Sequence, residues 1–200
     1  MVIVSTDEAV VEADLLGGRL SCPDCGGALG PWGSSTWRDV RLLDRTERRR
    51  PRRSTCRACS TSSGKKKTHV LAPEDTLLRR RDGVEVIGAA LTAKARGEST
   101  RDIADDLGRP VSTVGGWVRS LGAMAGAVRD HFTRWAHVLG PCHDRPWSGG
   151  SAFCDAVEAV GMVGIVAVRR FGPRPAWLLA SVLTGGRLIS NTGASFAPPG

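Results

Sequence analysis

Four cysteines in two tight pairs, Cys22-Pro23-Asp24-Cys25 and Cys56-Arg57-Ala58-Cys59, constrain this chain more than any other feature. A Cys-x-x-Cys spacing lets one reversed turn present two sulfurs to one metal, and a second such turn completes a tetrahedral thiolate shell. Cys22, Cys25, Cys56 and Cys59 are therefore the expected metal ligands. A closed shell of four thiolates leaves no open coordination position for chemistry, so the expected metal is a structural zinc ion. Pro23 pre-sets the first turn, and Gly26 and Gly27 permit the positive φ needed where the chain doubles back. The 30 residues between the pairs exceed the usual span of about 15 to 20, which implies a ribbon with long arms rather than a compact finger. Disulfides and unrelated buried thiols are the competing readings. His69 could replace a missing thiolate, but with all four cysteines present it reads as a strand residue, and Cys142 and Cys154 read as spare thiols.

The charge is unevenly placed. Residues 38–81 carry 15 Lys+Arg against 5 Asp+Glu, a net +10, while the rest of the chain is net −2, for a total of +8. One segment thus holds the whole basic excess and is the expected surface for a polyanion, nucleic acid first among them. A merely solvated basic loop is the alternative. No amino-terminal basic-plus-apolar signal is evident, and the apolar stretch from Ala156 to Val168 is too short and too interrupted to span a bilayer. A cytoplasmic location is expected, where reduced thiols favour metal over disulfides.

The pattern along the chain implies an α+β fold, mostly α. An amino-terminal zinc-ribbon β-hairpin module with a leading helix occupies 1–73, a helix-turn-helix 74–122, a helical region 123–183 and a poorly ordered tail 184–200. Ser5 or Thr6 with Glu8 reads as the cap of a helix ending at Leu16 before Gly17-Gly18. Trp37–Leu43 and Arg48–Thr55 read as two ribbon strands about the turn Asp44–Glu47, and Thr68–Leu71 as a returning strand; Thr61–Lys67 reads as flexible. From Leu77 to Ala95 the apolar residues recur at helical spacing. Ser99-Thr100-Arg101-Asp102 opens a second helix as a capping box, Gly108-Arg109-Pro110 breaks it, and Ser112 caps a third helix to Leu121. Ala123–Leu139, Ser151–Phe171 and Ala176–Leu183 read as further, separate helices, with 140–150 a linker.

In a helix-turn-helix the first residues of the second helix face base edges, and flanking basic residues hold phosphates. Ser112, Thr113 and Gly116 are the expected base-facing residues, with Arg101, Arg109 and Arg119 as phosphate contacts and Arg48, Arg49 and Arg50 as non-specific ones. Gly115-Gly116 is at odds with this, since each glycine costs about 0.8–1 kcal/mol in a helix and offers no side chain for readout. A hairpin that only buries Ile103, Leu107, Val114 and Val118 is the structural alternative.

CPDCGG, the stretch from WRDVRLL to RRRPRRSTCRAC, THVLAP and LGRPVSTVGGWVR together resemble uncharacterised zinc-ribbon plus helix-turn-helix proteins of high-GC bacteria, similar in layout to the amino-terminal portions of insertion-sequence transposases. The resemblance covers about Leu15 to Leu121 and implies DNA binding by a metal-stabilised module. The chain departs from it at Ser60, where a knuckle glycine is usual, in the Thr61–Lys67 stretch, and at Gly115, where arginine is usual.

Catalysis is not expected. A transposase catalytic domain requires three carboxylates on a mixed sheet to hold two metal ions, and only Asp130, Asp144, Asp155 and Glu158 supply acids after Leu121. His131, His137 and His143 match no activated-nucleophile pattern, and the Cys142-His143 pair lacks partners at metal-binding spacing. The expectation is a non-enzymatic protein that binds double-stranded DNA, a transcriptional regulator or mobile-element accessory factor, with a homodimer or protein partner engaged through the carboxyl-terminal helices. A protein-interaction module with the ribbon as scaffold, and RNA binding by the basic ribbon, are the competing classes.

Overall fold

The computed structural model describes residues 1–61, 64–140 and 150–189. Among them are six strands and six helices, a mixed α/β architecture with the strands in the amino-terminal third. Cys142, His143, Asp144 and residues 190–200 of the expected tail lie outside the described residues.

β1 (Val2–Val4), β2 (Leu29–Ser34), β5 (Arg52–Ser60) and β6 (Lys66–Pro73) form a four-stranded sheet in the order β1-β6-β5-β2. β1 pairs parallel with β6, placing Val2 opposite Leu71 and Val4 opposite Pro73, while β5 runs antiparallel to both its neighbours. α1 (Glu8–Leu16) buries Val11 and Leu15 against this sheet. Its cap is Asp7, whose Oδ1 accepts from the N–H groups of Ala9 and Val10, rather than Ser5 or Thr6; the Ser5 hydroxyl instead accepts from the Asp7 N–H.

The expected long hairpin is divided. β3 (Arg38–Arg41) pairs with β4 (Thr46–Arg49) as a separate two-stranded ribbon. The stretch read as one strand, Arg48–Thr55, breaks at buried Pro51. Proline has no N–H for a ladder, so the chain leaves one sheet at Arg49 and joins the other at Arg52.

α2 (Val84–Ala95), α3 (Thr100–Asp106) and α4 (Val111–Leu139) follow. Ser99 caps α3 as expected, its hydroxyl accepting from the Asp102 N–H. α4 starts one residue before Ser112, behind Pro110, and continues unbroken for 29 residues. Ser112 is therefore a first-turn residue and not the cap, and the two helices expected at 112–121 and 123–139 are one. Val114, Trp117, Leu121, Ala125, Val128, Phe132, Ala136 and Leu139 are buried at intervals of three and four, a stripe that gives the helix no reason to stop at Gly122.

α5 (Ala152–Phe171) and α6 (Ala176–Leu183) pack onto this stripe, and one apolar cluster spans α2 through Ile189. Two glycines set the spacing: a Cβ on Gly88 would lie 2.1 Å from the Trp177 ring, and one on Gly164 would lie 2.8 Å from Ala176. Leu188 and Ile189 are fully buried, so the segment expected to be loose from Thr184 is packed as far as it is described. No described helix is long and apolar enough to cross a membrane.

A second, smaller apolar cluster comprises Val4, Val11, Leu15, Leu29 and Leu71 with Cys22 and Cys56. The strand region meets the helices through Asp82. Its carboxylate, buried to 4% exposure, accepts from Arg41 of β3 and from Arg109 between α3 and α4, each at 2.7 Å. The Leu78 N–H donates to Gly186 O and the Ser181 hydroxyl to Thr76 O, which fixes the α6 end to residues 74–83, the strap between β6 and α2 that also carries Asp82. Removing one member of a buried ionic cluster leaves the others uncompensated. Asp82→Asn is expected to cost about 3 kcal/mol, read as a lower midpoint in urea denaturation.

Candidate functional site

The two cysteine pairs meet at one end of the four-stranded sheet. Cys22 Sγ lies 3.7 Å from Cys59 Sγ and Cys25 Sγ lies 3.5 Å from Cys56 Sγ, with all four sulfurs within 4.8 Å of one another. A tetrahedral shell with metal–sulfur bonds of about 2.3 Å has sulfur–sulfur edges of about 3.8 Å. The four sulfurs thus stand at ligand spacing, and the site is compatible with a metal ion.

The loops are built for this approach. In the first, the Gly26 N–H donates to Cys22 O and the Cys22 N–H to Gly27 O, with Gly26 at φ +71°. Gly27 is required for a different reason: a Cβ there would come within 2.8 Å of the Ala58 methyl, where the two loops touch. The second loop needs no glycine because it is an irregularity within β5, where the pairing with β6 shifts between Thr55 and Ser60. That shift turns the N–H groups of Ala58 and Cys59 toward Cys56 Sγ, at 3.4 and 3.3 Å. Donation from the Cys59 N–H and then the Ala58 N–H pulls the Cys56 thiol down to about 6, against the effect of burial. Its neighbour Cys59, hydrogen-bonded to Cys56 and shielded from water, is pushed up to about 12. The backbone donors thus favour the thiolate form of Cys56, the form in which a cysteine binds a metal.

Sequence reasoning left His69 aside, and the structure brings it to the cluster. Its Nε2 lies 3.4 Å from Cys22 Sγ, its Nδ1 lies 3.4 Å from the Met1 nitrogen, and Asp24 completes a compact trio with Cys22 and His69. Burial, followed by the nearby amino-terminal charge, lowers the pKa of His69. The neutral ring is able to donate Nε2–H to the sulfur. Lys67 pairs with Asp24 at 3.0 Å. The signal was the period of the strand: Lys67 and His69 are two apart on β6 and share a face. Removing an outer partner of a metal ligand typically costs about 10- to 100-fold in affinity. His69→Ala is expected to lower metal affinity by about that factor while leaving one site per chain, checked by competition with a chromophoric chelator.

The remaining expected site residues separate into committed and open cations. Arg109 donates to Asp82 and to the carbonyl oxygens of Leu107, Gly108 and Leu42, so its guanidinium is a structural joint and is not free for phosphate. Arg49 is likewise held by Glu47 and Asp75. Arg101, Arg119, Arg48 and Arg50 are exposed. Ser112 is exposed in the first turn of α4, Thr113 and Gly116 are half-buried, and a Cβ on Gly116 would meet nothing within 4 Å. The acids considered for catalysis, Asp130, Asp155 and Glu158, are not gathered with other described acidic or metal-ligating groups into a metal-holding cluster.

No protein-family model, curated protein or solved structure matches the chain.

Proposed function

We propose that the protein is a DNA-binding protein in which a structural zinc ion, held by Cys22, Cys25, Cys56 and Cys59, fixes a basic β-module, and the start of α4 contacts duplex DNA. The observation that carries the DNA reading is the division of α4. From Val114 onward one face is buried against its neighbours, while Val111 and Ser112 and the flanking Arg101 and Arg119 remain open to solvent. A short helix, a tight link and a second helix presenting its first turn fit the helix-turn-helix mode of entry into a major groove. Thiolates at tetrahedral spacing favour zinc over the hard, oxygen-seeking cations. Such a protein would serve as a transcriptional regulator or as an accessory factor of a mobile element, as the resemblance to transposase amino-terminal regions implies.

The zinc assignment is tested by elemental analysis of protein purified under reducing conditions, which is expected to give one zinc per chain. Cys56→Ser is expected to lose the metal and to lower the stability of the strand region, because metal binding and folding are coupled in such modules. The DNA assignment is tested by titrating a labelled duplex at several salt concentrations. Each phosphate contact contributes about 0.9 to the log–log salt slope, so Arg101→Ala combined with Arg119→Ala is expected to flatten it by about 2. A slope unchanged by this pair removes α4 from the interface.

A further inference from the structure

We propose that the surface around Trp37 is a binding site for an unpaired DNA base and its flanking phosphates. This extends the DNA reading above to a second surface and a second form of the ligand. Trp37 lies just before β3 and is 55% exposed, although it is among the largest apolar side chains of the molecule. Two guanidinium groups stand over its ring: Arg48 at 5.6 Å and Arg50 at 5.9 Å from the centroid. The Arg50 Nε–H donates to Ser35 O, which holds this cation in place.

The cations of the basic segment divide into those held by carboxylates and those that are not, and the arginines around Trp37 belong mostly to the second group. Arg41, Arg45, Arg49 and Arg52 each have a carboxylate partner, in Asp82, Asp44 and Glu47, Glu47 and Asp75, and Glu12 respectively. Arg38, Arg48, Arg50 and Arg81 have none among the described residues. Three of these four join Trp37 in lining a cleft of about 430 Å³, in which Asp39 is the one carboxylate. Arg48 and Arg50 join Trp37 in an adjoining cleft of about 610 Å³, where Glu8 and Glu12 also lie and Glu12 is occupied by Arg52. A half-exposed indole with guanidiniums over it that have no carboxylate partner is suited to single-stranded nucleic acid: phosphates draw the cations off the ring, and the ring then stacks a base. A duplex offers no such base, because its bases already stack on one another. A simple polyanion would engage the arginines alone, so the contribution of the ring is what the test must isolate.

The test compares binding of a fluorescein-labelled oligothymidylate with that of an abasic strand of equal length, which carries the same phosphates without bases. The zinc-loaded protein is expected to favour the oligothymidylate. Trp37→Ala is expected to weaken that binding about tenfold, within the range seen when a stacking ring is removed, and to leave the abasic strand and a blunt duplex unaffected. Trp37→Phe, which keeps an aromatic face, is expected to restore most of the preference. Because Trp37 is exposed, both variants are expected to keep the wild-type circular dichroism. Equal binding of the two single strands by the wild-type protein, or a preference that survives Trp37→Ala, overturns the proposal. Loss of duplex binding on altering Arg101 and Arg119 is a separate outcome, so each reading can fail without the other.

Discussion

Four sulfur atoms brought within 4.8 Å of one another are the constraint on which the amino-terminal third depends. Its apolar cluster contains five buried aliphatic side chains besides the two cysteines, a small store of burial for a four-stranded sheet. In scaffolds below about 70–80 residues a single core rarely supplies more than a few kcal/mol, and a structural metal is one common supplement. One cysteine pair lies in the turn ahead of β2 and the other in the irregular stretch of β5, so a shared cation there would define where β2 meets β5.

The helical region has the opposite balance. Its apolar cluster extends from Leu77 to Ile189, includes Trp117 and Phe132, and is shared by α2 through α6. The two regions are joined by polar contacts at Asp82, Thr76 and Leu78 rather than by a continuous apolar seam. A carboxylate shared by two arginines fixes direction as well as distance, so the orientation of β3 toward the α3–α4 link follows from a few directional bonds.

Local chemistry explains which parts of this arrangement were legible in the sequence. The meeting of the four cysteines could be read because a Cys-x-x-Cys pair specifies its own turn, and α3 could be read because Ser99 and Asp102 form a self-contained cap. The division of the ribbon at Pro51 was missed, although proline's lack of an N–H was a usable signal. The continuity of α4 was missed because Gly115, Gly116, Gly122 and Gly126 weaken local propensity, while the stripe from Val114 to Leu139 overrides it through packing. The fate of the arginines was not local at all. Whether a guanidinium is free depends on carboxylates as far away in sequence as Asp82 is from Arg41, and no spacing rule reports that distance.

The unbroken run of α4 has a consequence for how such a chain could be assembled or recombined. At about 1.5 Å per residue its 29 residues extend about 43 Å, from the turn beside α3 to the far end of the α5 packing face. A genetic exchange joined at Gly122 would sever that rod in its middle and leave Ala125, Val128 and Phe132 on one fragment and Val114 and Trp117 on the other. The natural seam lies instead in the strap between β6 and α2. Transplanting α3 and the start of α4 into another scaffold therefore means carrying the entire carboxyl-terminal bundle with them.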